Sequence, residues 1–471
     1  MKNIKYMWLL CIALLSVASV SCNKEDEYFN KEYQSVPIVV KQIYLEDYES
    51  SVPDRPVEFA RLGQLIRIEG SGLYGMKKVY INGYDTYFNR AYVTDNSMLV
   101  QINAKTPVVD ADPEERDIIR LVKDGTETSY EFLIRAASPT VTGINMTLPM
   151  PGETVIVSGT NLHETVKVTL PGGIEVTEVT CDEDGEWYSF VMPEGVTEGG
   201  YLYSEGAHGY AQTPSYFNER RGIILDFDGT GTQGGWSATY TSEELTADPL
   251  QSGRGNVVPV VPESVLAETE GGLKAGTNGK GWFTAGGEKG AWSADTENWA
   301  ATYAELIPAE TPVSEIALQF DVYVPEDWTT GMLEFTFQNN LSNYGYGSTE
   351  TTNTTNIAYP TAVVWVPWLT ADGGKEPYKT EGWTTITIPV NTVGKYQNTE
   401  EDLTFANVCA DRAAASYANF GMFYVNNAVK FSEDIVWEPE AFNQMIYVDN
   451  WRLVPYKSVV VSDYPEDETE E

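Results

Sequence analysis

Apolar and polar residues alternate with period two along short runs in the C-terminal half of this 471-residue chain. In residues 316–324 every even-numbered position is apolar, whereas Gln319 and Asp321 lie at odd-numbered positions. This alternation is typical of a β-strand with one face buried and the other facing outward. Clusters of Gly, Asn, Asp and Thr separate such runs over about 230 residues, which predicts one large antiparallel sandwich or jelly roll.

Tryptophan is concentrated in the same half of the chain, where residues 222–455 contain ten of the twelve tryptophans. Trp383 and Trp451 lie in regular strand runs with apolar neighbours, so they are expected in the core. Trp328 follows a predicted turn and is compatible with a core or a surface position. We interpret this region as the functional part of the chain and the preceding residues as its support.

An internal repeat precedes the tryptophan-rich region. Residues 63–73 align without a gap on residues 152–162, which lie 89 positions further on. Each copy predicts a strand, a turn that needs Gly or Asn at positive φ, and a further strand. This is the layout of a small immunoglobulin-like sandwich, so two such domains are expected, over residues 37–136 and 137–218.

The N-terminal residues indicate export. Two lysines precede an apolar stretch over residues 7–17, and small residues lead into Cys22. The pattern is typical of a signal peptide over residues 1–21 and is too short for a membrane-spanning helix. Residues 19–22 resemble the lipobox of bacterial lipoproteins, with Ser19 in place of the usual leucine, which implies lipidation of Cys22. The alternative is a soluble secreted protein.

The net charge and the small number of histidines and cysteines exclude several classes of function. The net charge of −39 repels phosphate backbones, so nucleic acid is excluded as a partner. The two histidines, His163 and His208, lie outside the tryptophan-rich region, which rules out histidine-based catalysis or a histidine-ligated zinc there. Cys181 and Cys409 are expected to be buried thiols rather than a disulfide, because they fall in different predicted domains.

Several motifs together resemble one protein family. Residues 159–162 and the following strand, which ends in Gly172, resemble IPT/TIG domains. Residues 225–229 and 448–454, which open and close the C-terminal region, resemble the surface glycan-binding proteins B of Bacteroidetes polysaccharide-utilisation systems. The segment Trp365-Val-Pro-Trp368 and the acidic run after Cys22, which resembles a surface-export tag, fit the same family. A merely solvated spacer is the alternative for that run.

The resemblance covers essentially the whole chain and implies an all-β protein. Two IPT/TIG sandwiches would precede a larger glycan-binding β-sandwich. The organisation it implies is a signal peptide over residues 1–21, a lipidated linker over 22–36, IPT/TIG-like domains over 37–136 and 137–218, a glycan-binding domain over 219–460 and an acidic tail over 461–471.

The resemblance also implies a function. Members of the family are non-catalytic lipoproteins of the outer-membrane surface that capture a plant or fungal polysaccharide, often a β-glucan such as xyloglucan, mixed-linkage glucan or laminarin. The implied partners are the polysaccharide, an outer-membrane importer complex and a second glycan-binding protein of the same system. The chain would reach the membrane through its lipid anchor only.

Aromatic side chains are the candidate binding groups, because a ring stacks on the apolar face of a pyranose while amides and carboxylates bind its hydroxyls. Some of these rings lie in Gly-, Asn- and Asp-rich sequence. Two others flank Pro367, which is expected at a strand end or bulge that turns a side chain toward solvent. The candidates are Trp282, Trp292, Trp299, Trp365, Trp368, Tyr344 and Tyr346.

Three carboxylates are candidate metal ligands. Asp226 and Asp228 open the C-terminal region, and Asp449 lies in its predicted last strand. Adjacent strands would let the three share a structural Ca²⁺, since hard cations take several oxygen ligands. The alternative, which we favour, is that they cap turns or are solvated. No other cofactor is expected.

Two further functions stay open at this stage. A jelly-roll glycoside hydrolase needs two carboxylates across the sugar, at about 5 Å or about 6.5 to 9.5 Å. The closely spaced Glu-x-Asp-x-x-Glu strand that such enzymes use is absent from the sequence. An adhesion or assembly protein that contacts its neighbours through immunoglobulin-like domains is compatible with the predicted domain order.

Overall fold

The structure is a computed structural model. It describes residues 28–46, 55–233, 242–260, 267–269, 272–274, 282–285, 298–337, 351–355, 362–397, 400–414, 420–426, 428–440 and 445–457. Almost all of its regular elements are β-strands, which confirms the predicted all-β class. The chain divides into two compact units, Met1–Ser138 and Pro139–Glu471. None of the helices among the described residues has the length and apolar character that a membrane span requires.

The first unit contains one small sandwich. Its first sheet has the order β2-β1-β4-β7, with β1 (Val39–Leu45), β2 (Arg55–Pro56), β4 (Leu65–Ser71) and β7 (Ser97–Gln101). Its second sheet has the order β6-β5-β8-β9, with β5 (Lys78–Ile81), β6 (Tyr84–Thr86), β8 (Ile118–Val122) and β9 (Glu127–Glu131). The remaining elements are α1 (Lys31–Gln34) and the parallel pair β3 (Phe59–Arg61) and β10 (Leu133–Arg135).

The second unit begins with a sandwich of the same kind. One sheet has the order β11-β12-β16-β15, with β11 (Thr140–Ile144), β12 (Thr154–Thr160), β15 (Thr180–Cys181) and β16 (Trp187–Val191). The other has the order β14-β13-β17-β18, with β13 (Thr165–Leu170), β14 (Ile174–Val176), β17 (Tyr203–Gly206) and β18 (Gly209–Gln212). We call this part of the second unit the second sandwich.

The repeat in the sequence has a common structural cause. The strands β4 and β12 occupy equivalent positions, and each packs against the first strand of its sandwich. A Cβ atom at Gly70 would lie 1.9 Å from the carbonyl oxygen of Val39, and one at Gly159 would lie 1.8 Å from that of Thr140. Glycine is therefore required at both positions. The next turn has Asn161 at φ 55°, which confirms the predicted positive φ.

The rest of the second unit is the C-terminal domain. Its sheet 1 has the order β20-β21-β33-β25-β29, and β19 also pairs with β33. These strands are β19 (Ile223–Leu225), β20 (Thr246–Ala247), β21 (Asn256–Val260), β25 (Ile316–Tyr323), β29 (Thr384–Pro389) and β33 (Ile446–Pro455). Pairing of β19 with β33 confirms that the opening and closing strands of the domain lie side by side.

Sheet 2 of the C-terminal domain lies opposite sheet 1. It has the order β24-β30-β26-β28, with β24 (Trp282–Ala285), β26 (Met332–Thr336), β28 (Ala362–Trp365) and β30 (Phe420–Val425). The smaller elements are β22 (Ala267–Thr269), β23 (Gly272–Lys274), β27 (Thr351–Thr352), β31 (Val429–Lys430), β32 (Val436–Trp437), α2 (Trp299–Thr302) and α3 (Phe405–Ala414).

The core of the domain lies between the two sheets. Phe320 of β25 and Phe335 of β26 are buried there with ring centroids 4.6 Å apart, as the alternation predicts. Gln319 and Asp321 point away from this core, also as predicted, but they are buried too. The reason is that the second sandwich covers the outer face of sheet 1.

A buried polar network joins the second sandwich to sheet 1. The Arg452 guanidinium lies 2.9 Å from the Asp321 carboxylate, and its Nη2 donates to Thr147 Oγ1 of the second sandwich at 2.7 Å. Its Nε donates to Gln319 Oε1 at 3.1 Å, and that oxygen also accepts from the Thr147 hydroxyl. Both charges are fully buried, so each depends on its partner to offset the cost of desolvation.

A second arginine extends the network. Arg254 lies 3.2 Å from the other Asp321 oxygen and 3.1 Å from Glu153 of the second sandwich. Backbone hydrogen bonds cross the same junction, including one from the Thr385 N–H of β29 to the Asn145 carbonyl of the second sandwich at 2.7 Å. Since both side-chain and main-chain groups are satisfied across the junction, the second sandwich and the C-terminal domain form one unit.

We predict that Arg452→Met lowers the free energy of unfolding by about 3 kcal/mol or more, because it leaves Asp321 with one cationic partner in a buried site. Urea unfolding followed by tryptophan fluorescence measures this loss. Arg220→Met is the matched control, since Arg220 is exposed and its replacement should change stability by less than about 0.5 kcal/mol. Equal effects of the two substitutions would contradict the assigned role of Arg452.

Candidate functional site

Aromatic side chains gather where β25 ends and β26 begins. Trp365, the last residue of β28, is half-buried, and its ring centroid lies 5.5 Å from that of Trp328 and 5.4 Å from that of Tyr378. Trp328 is buried and donates its indole N–H to the Thr330 carbonyl. Pro367 lies just beyond β28, which confirms the predicted strand end. Trp365 and Tyr378 are therefore the rings of this group with solvent-accessible surface.

A second aromatic group adjoins the first. Trp368 donates its indole N–H to the Gly331 carbonyl at 2.7 Å, and its ring centroid lies 6.5 Å from that of Trp437. The Lys375 ammonium lies 5.4 Å from the Trp368 ring and 5.8 Å from the Trp437 ring, within range of a cation–π interaction. Trp437 is half-buried, so this group also presents one ring at the rim of the domain.

The outer face of sheet 2 carries a buried acidic residue that the sequence analysis did not single out. Glu334 lies opposite Phe423 of β30 and Val364 of β28, and Trp282 of β24 lies opposite Phe423 on its other side. Directly opposed residues of antiparallel strands share a face, so Glu334, Phe423 and Val364 form one row. The signal in the sequence was a charged residue inside the apolar run of β26.

Two predicted site residues are buried, which corrects the expectation that they stack on sugar. Trp299 is 1% exposed and begins α2, which carries it out of the polar sequence around it and into the core. The Arg412 guanidinium lies 3.6 Å from its ring centroid. Trp368 is 3% exposed, because the indole bond to Gly331 holds it beneath the rim. Neither ring offers a free face to a ligand.

The remaining tryptophans divide into two sets. Trp383 and Trp451 are buried, as predicted, and Trp328 also belongs to the core. For Trp282 the structure gives only the backbone position in β24. Trp292, Tyr344, Tyr346 and the lipidation residue Cys22 lie outside the described residues. Their assignment as functional residues stays a prediction.

The three candidate metal ligands have separate roles. Asp226 Oδ1 accepts backbone N–H groups from Asp228, Gly229 and Thr230 at 2.8–3.1 Å and so caps a turn, as the alternative interpretation predicts. Asp228 accepts the backbone and side-chain N–H groups of Asn256. Within the described part of the chain, no group of three His, Cys, Asp or Glu side chains is arranged to hold a metal ion.

Asp449 is buried rather than solvated. Burial and the neighbouring charge of Asp321 raise the pKa of its carboxyl well above the ordinary range. Its Oδ2 accepts from the Asn450 amide at 2.9 Å, whereas no residue in the described part of the chain donates to its Oδ1. Arg254 and Arg452 already supply the positive charge that Asp321 requires. A shared Ca²⁺ is therefore not supported by this arrangement.

We predict that Asp449→Asn raises the free energy of unfolding relative to the unaltered chain, by an amount that grows as the pH rises above about 4. The unfolded carboxyl titrates near pH 3.9, about the ordinary value. Above that pH the folded state holds the Asp449 proton more tightly than the unfolded state, so stability falls with rising pH. Asparagine cannot titrate and escapes this loss.

Urea unfolding of both proteins across a pH series measures the difference. Groups that do not interact with Asp449 titrate equally in the two proteins, so their contributions cancel. A difference that does not change with pH would contradict the raised pKa.

Comparisons with known proteins agree with this architecture. A family model described as the surface glycan-binding protein B xyloglucan-binding domain matches residues 217–455. An IPT/TIG domain-containing protein from Bacteroides ovatus is 21% identical, over 68% of this chain and 79% of the relative. A crystal structure of a surface glycan-binding protein from Prevotella bryantii matches 89% of this chain and 98% of its own with a TM-score of 0.59 at 16% identity, which supports the fold.

Proposed function

Because this chain belongs to the surface glycan-binding protein B family, we propose that it captures a β-glucan at the cell surface without cleaving it. The observation that carries the proposal is the family match over residues 217–455, which spans both sheets of the C-terminal domain. Proteins of the family are non-catalytic binding proteins, which argues against the glycoside hydrolase alternative.

We place the glycan on sheet 2 and the neighbouring rim, away from the outer face of sheet 1. The second sandwich already covers that face through Arg452 and Arg254. Trp282 stands in the same cross-strand row as Glu334. Stacking on Trp282 and Trp292, with Tyr344, Tyr346 and Trp365 as further contacts, would supply apolar surface.

Xyloglucan is the first ligand to test, because the matching family model is described by that glycan. Mixed-linkage β-glucan and laminarin are the alternatives within the same class. All three are uncharged, so the net charge of −39 does not oppose their approach.

We further propose that lipidation of Cys22 anchors the chain to the outer surface of the cell. Two or more acyl chains there would hold it on the membrane stably. The partners proposed for this location are an outer-membrane importer, which would receive the captured polysaccharide, and a second glycan-binding protein of the same system. The support for this part is the lipobox-like segment and the acidic run that follows it.

The proposal predicts saturable binding of at least one β-glucan with no new reducing ends. Calorimetric titration of the chain without its leader against xyloglucan, mixed-linkage β-glucan and laminarin measures the binding, and a reducing-sugar assay of each mixture measures cleavage. The second sandwich must be retained, because its removal would take Thr147 and Glu153 away from Arg452 and Arg254. Cleavage, or no binding to any of the three, would overturn the proposal.

Variants locate the site within the same titration. Trp282→Ala and Trp292→Ala should each weaken binding by about 1–3 kcal/mol, as loss of an interface aromatic typically does. Trp187→Ala is the matched control, because Trp187 is half-buried on the second sandwich and outside the proposed surface. Unchanged affinity in both site variants would contradict the assignment of these rings.

A further inference from the structure

Two exposed tyrosines lie on one face of the second sandwich. In the antiparallel pair of β17 and β18, Tyr203 is opposite Gln212 and Glu205 is opposite Tyr210. Tyr203 is 47% exposed and Tyr210 is 53% exposed. The two residues occupy diagonal positions on the same outward face, which places their Cα atoms about 7–8 Å apart. An exposed aromatic pair on a sheet face is available for contact with a ligand.

Further tyrosines on this outward face lie closer to the C-terminal domain. Leu202 is buried and pairs with Thr213, so Tyr201 points outward like Tyr203. The Tyr201 ring contacts the Tyr216 ring edge to face, with centroids 4.6 Å apart. The Lys457 ammonium lies 5.7 Å from the Tyr201 ring. Because Lys457 follows the last strand of the C-terminal domain, the row of tyrosines reaches the junction.

A groove continues the row across the junction. Tyr456 pairs with Ser215 of the second sandwich and donates its backbone N–H to the Glu315 carbonyl at 2.8 Å. It lines a cavity of about 540 Å³ that also includes Asn391 and Lys457. We define the tyrosine track as Tyr210, Tyr203, Tyr201, Tyr216 and Tyr456.

We propose that the tyrosine track is a second contact surface for an uncharged polysaccharide chain. This inference rests on the proposed function and extends it to longer ligands. Each phenol offers a ring that stacks on the apolar face of a sugar and a hydroxyl that bonds at its edge. Gln212 and Asn391 add neutral amides beside the rings. Burial raises the pKa of the Tyr201 and Tyr216 phenols, so both stay neutral.

The character of the surface favours a sugar chain over a protein partner. The ion pair between Lys167 and Glu205 lies on the same sheet face beside the exposed rings, and the Tyr210 hydroxyl donates to Glu205 at 3.4 Å. A protein interface instead has a contiguous apolar core from which charged residues are depleted. A second contact on one polymer would strengthen binding by avidity without altering the affinity for a short oligosaccharide.

The test compares polymer with oligosaccharide on the chain without its leader. Tyr203→Ala/Tyr210→Ala should weaken binding of polymeric xyloglucan, mixed-linkage β-glucan or laminarin, whichever the unaltered chain binds, by about fivefold or more. Binding of a short oligosaccharide of the same glycan should not change. The matched control is Tyr87→Ala/Tyr92→Ala, which removes two tyrosines of 78% and 60% exposure from the first unit.

Tyr203→Phe/Tyr210→Phe should restore most of the polymer affinity, because the rings remain. Far-UV circular dichroism and the melting temperature check that each variant is folded, and Tyr210→Ala alone carries the test if the double variant is not. Equal polymer affinity of the track and control variants overturns this inference and leaves the proposed function intact. If the unaltered chain binds none of the three polymers, both the proposed function and this inference are overturned.

Discussion

The buried ion pair between Arg452 and Asp321 is the interaction on which the rest of the second unit depends. Neither charge reaches solvent, and the cost of desolvating them is offset only while each keeps its partners. Those partners come from both sides of a junction, since Thr147 belongs to the second sandwich and Gln319 to sheet 1. The second sandwich is therefore part of the structure that stabilises the C-terminal domain.

This constraint decides which surfaces are open to a ligand. The outer face of sheet 1 is occupied by the second sandwich, so the proposed glycan site lies on sheet 2 and the neighbouring aromatic rim. It also accounts for Asp449, because burial and the neighbouring charge of Asp321 raise the pKa of its carboxyl. The tyrosine track crosses the junction where Tyr456 pairs with Ser215 of the second sandwich.

The sequence predicted the features that depend on local pattern. The period-two alternation identified β25, and the repeated glycines at Gly70 and Gly159 reflect a close approach of two strands that recurs in each sandwich. The burial of Asp321 was not predictable, because it results from packing between domains that strand periodicity does not record. The prediction that Trp299 stacks on sugar was wrong for a related reason. A short helix directs its side chain into the core although the surrounding sequence is polar.

Native-state hydrogen exchange across a urea series tests most directly whether the second sandwich and the C-terminal domain are one unit. Exchange of the amides of β12 and β25, followed by mass spectrometry, reports the free energy at which each strand opens. The account predicts that the most protected amides of both strands open together, with one free energy and one dependence on urea. Opening of β12 at a lower free energy, while β25 remains protected, would contradict it.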